Sequence, residues 1–295
     1  MRAYKLILLL SLTSFAASAG LSSKIYKIMP PIDKDQVYLI LAYSGDVFEV
    51  SPEDSEVLNN AFYALENNLT IDIETNLFQK ILSDKREKVK SLSLLTENEF
   101  TTSSDKTIEL TIPTPLNNYL VNTVDELDKM VNYFKTMNPK TRRRSQCYNR
   151  AHMWSYELSK KFQLNMGKIW LFFSSKYIRE YKYKWWFHVA PYLDLKEKNS
   201  SYVMDRSFTK QPTKVSEWTN IFMYNNATCK EVEYYSDYRN NQNSAYCFVI
   251  KSSMYYWQPF NIEGLEEGSP EKVHFDLEEV ERAYQNAARG WDGDL

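Results

Sequence analysis

Three side chains in this sequence have the types and the order needed to open an amide through a covalent intermediate. Cys147 lies in 145-SQCYNRAHMWSYEL-158, His188 in 185-WWFHVAPYL-193 and Asp205 in 203-VMDRSF-208. A thiolate attacks a carbonyl carbon, an imidazole moves the protons, and a carboxylate orients the imidazole and stabilises its charge. The chain holds only three cysteines and three histidines, so the choice of partners is small.

The elements around these residues decide whether they can meet. Ser145 is a good N-cap residue, and Cys147, Ala151, Trp154, Leu158 and Phe162 recur at helical spacing. That puts Cys147 in the first turn of a helix with one buried stripe. Free N–H groups and partial positive charge at a helix start favour a thiolate and can hold an oxyanion. A free thiol near pKa ~8.5 falls to about 3.5–7.5 in such surroundings. The competing reading is an inert core cysteine, the commoner fate of a Cys on a buried stripe. His152 is no partner for Cys147: five residues along a helix is a turn of roughly 140°, so it is a packing residue. His274, in KVHFDLEE, reads as a surface or cap residue at the start of a terminal acidic helix. His188 sits on an aromatic strand. If the polar turn DLKEKNSS reverses the chain near residues 197 and 198, Asp205 falls opposite Ala190, on the face of His188. A one-residue slip would put the two on opposite faces. Cys, then His, then an acid on the following strand is the papain-like order.

Composition narrows the setting. Arg2 and Lys5 precede the apolar run Leu6 to Leu10, and Ala17-Ser18-Ala19 forms a cleavage signature. Residues 1–19 are therefore expected to be a signal peptide cut between Ala19 and Gly20, giving a secreted or periplasmic protein. The run is too short for a membrane span. Losing Arg2 and Lys5 takes the net charge from −2 to −4, which gives a nucleic-acid partner no support. Oxidising conditions favour pairing of cysteines, and Cys229 and Cys247 lie close in sequence, leaving Cys147 as the odd thiol. A bridge there would stabilise by about 2–4 kcal/mol; the alternative keeps all three reduced. No metal-ligand spacing appears, and neither a metal nor a cofactor is expected.

Along the chain, residues 35–50 read as a hairpin about Ser44-Gly45-Asp46, and Ser51-Pro52-Glu53 as the start of a helix running through VLNNAFYALEN. LTIDIE reads as a strand, KREKVK as a charged stretch and 96–106 as a linker. VDELDKMVNYFKTM is an amphipathic helix stopped by Asn138-Pro139. KIWLFF, KWWFHVAPYLDL, SYVMDRSF and YCFVIKSSMYYW follow as strands, and DLEEVERAYQNAA as a last helix ending at Gly290. Helices and antiparallel strands in runs mean α+β. Residues 20–114 contain no Cys and no His, which suits either a pro-segment before an enzyme or an ordinary accessory domain.

The segments CYNRAHMW, WWFHVA and VMDRSF resemble the three motifs of secreted bacterial protein-glutamine glutaminase, the protein deamidase family. The resemblance runs from 123-TVDELDKMVNYF through Glu217-Trp218-Thr219-Asn220, over roughly the C-terminal 180 residues. It departs from the family at Gln146, where the family has Gly, and at Arg206, where the family has Pro. Only Cys229 and Cys247 can pair here, whereas the family's mature domain is rich in disulfides. The last helix has no clear counterpart.

The resemblance implies catalytic roles for Cys147, His188 and Asp205. It also implies a papain/transglutaminase-like catalytic domain over 115–295, a nucleophile helix packed on an antiparallel sheet. A smaller α+β pro-domain over 20–114 would precede it and act as inhibitor. Its substrates would be proteins or peptides with accessible glutamine, and the chain would be a monomer needing no membrane after signal removal. Trp185 and Trp186 would wall the cleft, or be plain core. Arg142, Arg143 and Arg144 would favour the thiolate, or form a solvated loop. The same triad would also serve a papain-like cysteine peptidase or a transglutaminase, and a non-enzymatic secreted binding protein stays open.

Overall fold

In strand β2 (Val37–Leu41) every residue is buried, and the strand's period of two explains how. Val37, Leu39 and Leu41 point into one hydrophobic cluster, whereas Tyr38 and Ile40 point into another. The first cluster fills a small N-terminal barrel. The second is the core of the C-terminal region, which contains Cys147 and His188's strand. The computed structural model describes residues 21–31, 36–41, 45–75, 87–95, 107–109, 121–138, 147–196, 200–263 and 274–276, with Val280 and Ala283.

The barrel closes in the order β1 (Leu21–Met29), β2, β3 (Val47–Val50), β5 (Glu87–Leu94), β4 (Thr70–Thr75), with β4 pairing back on β1. Helix α1 (Ser55–Glu66) packs Val57, Ala61 and Ala64 onto the same core. It starts later than Ser51-Pro52-Glu53 suggests. Those residues form a turn in which Asp54 N–H donates to the Ser51 carbonyl at 3.0 Å. Asp54 is then the cap, its carboxylate accepting from Val57 N–H at 3.3 Å. The stretch read as merely charged enters strand β5. A bulge opposite Glu74 and Thr75 turns both Val89 and Leu92 towards the barrel core. The linker expected over 96–106 lies outside the described residues.

The C-terminal region is built on a sheet in the order β11 (Thr213–Lys214), β10 (Ser200–Val203), β9 (Phe187–Leu195), β8 (Gly167–Phe173), β13 (Cys247–Ser253), β12 (Lys230–Glu231), with β7 (Thr123–Val124) also on β9. The central strands pair antiparallel; β7 on β9 and β12 on β13 are parallel. Strand β8, GKIWLFF, is buried along its whole length, because both faces of the sheet are covered. Helices α2 (Leu127–Thr136) and α3 (Cys147–Phe162) pack together through Met130, Phe134, Met153, Trp154 and Leu158. Helix α3 lies on β9. Helices α4 (Ser175–Glu180), α5 (Val215–Met223), α6 (Tyr235–Asn240) and α7 (Pro259–Glu263) complete the region. Cys229 and Cys247 form a disulfide that ties the segment before β12 to β13, and Cys147 is a free thiol.

A further small sheet pairs β14 (His274–Asp276) with β6 (Thr107–Glu109). His274 therefore begins a strand rather than a helix; the backbone partner Glu109 is a long-range feature that local sequence does not carry. Of the expected terminal helix, only Val280 and Ala283 are described, both helical and buried.

Candidate active site

Helix α3 begins at Cys147, which is 8% exposed. Ser145 and Arg142, Arg143 and Arg144 lie outside the described residues. The expected stripe is buried through Leu158, with Phe162 partly so, but Tyr148, Asn149, Arg150, His152, Met153 and Ser155 are buried too. The reason is that α3 is enclosed on both sides. Cys147, Tyr148 and Ala151 join the sheet cluster, whereas Met153, Trp154 and Leu158 join that of α2. A local pattern identifies one buried face; only packing on both sides makes the second.

His152 serves that enclosure. Its Nδ1 lies 2.6 Å from Nζ of Lys168, itself fully buried on β8, and Lys168 Nζ donates to the Tyr256 carbonyl at 2.6 Å. Burial and the neighbouring ammonium hold the imidazole's pKa well below 6.5, so His152 is neutral and accepts from Lys168. One residue further along, Trp257 Nε1 donates to Asn149 Oδ1 at 3.0 Å. These contacts anchor the first turns of the helix that carries Cys147.

The hairpin of β9 and β10 has the register expected from its turn. Ser200 pairs with Leu195 and Val203 with Tyr192, and Met204 N–H continues the series by donating to the Pro191 carbonyl at 2.8 Å. Extended by one step, that register sets Asp205 against Ala190, on the face of His188. His188 Nε2 is 2.7 Å from Asp205 Oδ2, with both residues almost completely buried. Nε2 is thereby engaged and Nδ1 is the second ring nitrogen, and Cys147 helps to hold the ring in its charged form. The structure thus brings Cys147, His188 and Asp205 together, and His152 is engaged by Lys168 instead.

The electrostatics follow from this geometry. Burial alone would lower the pKa of His188, but the charge and hydrogen bond of Asp205, helped by Cys147, raise it to about 9. Burial alone would raise the pKa of Asp205. The charge and hydrogen bond of His188, the Trp218 indole and the charge of Arg150 outweigh it and hold the carboxyl below 3.8. Trp218 Nε1 donates to Oδ2 at 3.0 Å, and Ser207 N–H donates to Oδ1 at 3.1 Å. The result is a protonated imidazole beside a thiol in a water-poor site, suited to thiolate–imidazolium chemistry.

Aromatic rings make the site dry. Phe222, Phe208, Trp218 and Trp185 surround the His188 ring at centroid distances of 4.7, 5.0, 5.6 and 6.0 Å. The two tryptophans of the WW pair divide their tasks. Trp185 is half-buried and lies nearly parallel to the imidazole, with 20° between planes. Trp186 is core: it stacks on Tyr26 of β1 at 4.7 Å and donates from Nε1 to the Leu41 carbonyl at 3.0 Å.

Three contributors escaped sequence reasoning. Arg150 and Trp218 lie within segments that carry the resemblance, but their contact with Asp205 depends on tertiary packing. A fully buried Lys168 had no signal except a single cation in an apolar strand. Among the described residues no cluster of three or more His, Cys, Asp or Glu is arranged to hold a metal ion.

Residues 129–222, which include all three of these side chains, match the family model of a glutaminase. No curated protein matches the chain in sequence. A crystal structure of pro-protein-glutaminase is similar in fold, with TM-score 0.50 and 13% identity over 81% of this chain and 84% of that one. A mutant of pro-protein-glutaminase is similar over 90% of this chain and 91% of that chain, with TM-score 0.53 and 12% identity. At such identities the structures speak for the fold, and the sequence match is a likeness to a glutaminase over residues 129–222. The resemblance to the protein-glutaminases read from the three motifs is therefore borne out, in sequence over residues 129–222 and in fold over most of the chain.

Proposed function

We propose that this protein is a secreted protein-glutamine deamidase that uses Cys147, His188 and Asp205. The observation that carries the reading is the buried 2.7 Å contact between His188 and Asp205, with Cys147 favouring the charged ring, inside the glutaminase-matching segment. Cys147 thiolate attacks the carboxamide carbon of a glutamine side chain. The Cys147 backbone N–H, in the first turn of the helix, helps to hold the oxyanion. His188 gives its Nδ1 proton to the departing nitrogen, ammonia leaves, and a thioester remains. His188, now neutral, takes a proton from water; the resulting hydroxide opens the thioester to glutamate and restores the thiolate. Asp205 keeps the ring oriented and its charged form favoured.

The N-terminal residues 20–114 act in this reading as an inhibitory pro-region, following removal of a signal peptide over 1–19. Supporting this, the fold likeness to pro-protein-glutaminase extends over most of this chain, and the N-terminal barrel packs into the catalytic core through Met29, Tyr38, Ile40 and Val47. The Cys229–Cys247 disulfide fits an exported protein. Among the described residues no helix is long and apolar enough to cross a membrane.

The test is ammonia release from a glutamine-rich protein, before and after limited proteolysis of the full chain, with Cys147→Ser in parallel. Ammonia without cleavage or cross-linking of the substrate, absent in the variant, is the expected result. New peptide ends without ammonia would mean a peptidase, and cross-links a transglutaminase. No reaction at all from folded protein would point to a binding role.

A further inference from the structure

The strand that leads to His188 is edged by the N-terminal barrel in a way that indicates what else can lie there. Trp186 N–H donates to the Gly45 carbonyl at 2.8 Å, and Val47 N–H donates to the Lys184 carbonyl at 2.7 Å. Asp46 pairs antiparallel with Trp185. An extended segment is thus laid along residues 184–186 by backbone hydrogen bonds, a mode that accepts many sequences. One side-chain contact adds selectivity. Asp46 Oδ1 accepts from Trp185 Nε1 at 3.0 Å, and the Lys184 ammonium lies 5.2 Å from the same Trp185 ring. The same ring faces His188.

The segment that carries Trp185 is cationic in sequence, and Lys184 is the cation placed at its ring. Between residues 176 and 188 stand Lys176, Arg179, Lys182 and Lys184 against Glu180 alone, in a chain of net charge −2. Glu180 is itself engaged by the Tyr246 hydroxyl. A carboxylate at the Trp185 indole therefore gains a charge-assisted hydrogen bond and a favourable field.

We propose that, when the N-terminal residues leave, the Lys184–Trp185 corner selects glutamines followed by an acidic residue in the substrate protein. This rests on the deamidase reading above. The register gives the spacing. Trp185 precedes His188 by three residues, about 10 Å at ~3.3 Å per residue. In an antiparallel pairing the substrate residue nearest His188 comes before the one opposite Trp185. The preferred sequence is thus Gln-x-x-Asp or Gln-x-x-Glu, with the acid on the C-terminal side.

The experiment uses the full chain, treated with protease until ammonia release stops rising, and short peptides with one glutamine. The third residue after it is Asp, Ser or Lys, and a further peptide carries Asp three residues before it. The expected kcat/KM for Asp at the later position is about ten-fold above Ser, the size of one hydrogen bond to a charged group, and Lys is below Ser. In Lys184→Glu the Asp-to-Ser ratio falls to one or lower, and Trp185→Phe, which lacks the donor, also reduces it. Equal rates on all peptides would overturn the proposal and leave the deamidase reading standing. So would an equal gain from Asp on the N-terminal side, or an Asp preference unchanged in both variants. No ammonia from any peptide would sink the deamidase reading itself, and this one with it.

Discussion

Replacing Asp205 by Asn keeps the size of the side chain and removes its charge, and the consequence can be worked from the site. Asp205 provides the two largest influences that raise His188, its charge and its hydrogen bond, against a burial effect that is larger than either. Together with Cys147 they lift the imidazole from 6.5 to about 9, roughly 3 kcal/mol in favour of the charged ring at about 1.4 kcal/mol per tenfold. Removing the two Asp205 influences leaves burial opposed by Cys147 alone, so the pKa of His188 falls. In the native protein the imidazolium persists until the pH passes about 9, so activity should hold to that point and then fall. In Asp205→Asn the alkaline limb should therefore start at a lower pH than in the native protein. A fall back to the ordinary imidazole value of about 6.5 would leave about 3% of the ring charged at pH 8, a loss of about 30-fold from protonation alone. Misorientation of the ring adds to that loss. The assay is ammonia release across pH 5.5 to 10, with alkylation of Cys147 followed over the same range. An alkaline limb at the same pH in both proteins would refute the reasoning, whatever the absolute rates.

Other expectations follow from the same contacts. The raised pKa of His188 gives a stability contribution present in full below 6.5 and lost as pH rises through about 9. The lowered pKa of Asp205 gives one present above 3.8 and lost as pH falls through its folded value; thermal melts should show a plateau between the two, with its alkaline edge missing in Asp205→Asn. His152→Leu strips the Lys168 ammonium of one of its two partners named above and should cost about 1–3 kcal/mol in denaturant unfolding, as for a buried donor that loses its acceptor. Gly167→Ala puts a Cβ 2.1 Å from the Tyr192 ring, and should destabilise by about 1–3 kcal/mol, checked by the unfolding midpoint. Opening the Cys229–Cys247 bridge by a double Ser substitution removes a crosslink spanning 18 residues and should cost about 3 kcal/mol by the loop-entropy estimate, measured against the native protein under oxidising conditions.

Much of the candidate site was legible because its parts are local or nearly so. The helix start at Cys147 follows from an apolar spacing, and the meeting of His188 with Asp205 follows from one short hairpin, whose turn sets the register. The rejection of His152 needed only the angle per residue of a helix. Local rules failed where two plausible starts competed, as at Ser51 and Asp54, and where a partner lay far away. Strand β14 at His274 exists only because residues 107–109 pair with it.

By itself, then, the sequence determined the order of the three candidate residues and the hairpin that joins two of them, and it marked Cys147 as the thiol left over if Cys229 and Cys247 pair. These depend on periodicity, turn chemistry and cysteine count, all properties of neighbouring residues. Tertiary structure alone decided how the third residue meets the other two and what makes the meeting chemically useful. It encloses α3 on both sides, brings Trp218 and Arg150 to Asp205, and rings His188 with aromatic side chains. It also lays Asp46 on Trp185, across 139 residues of chain. Those contacts join segments distant in sequence, and burial is what gives them their strength, because a charge removed from water feels its few remaining partners most.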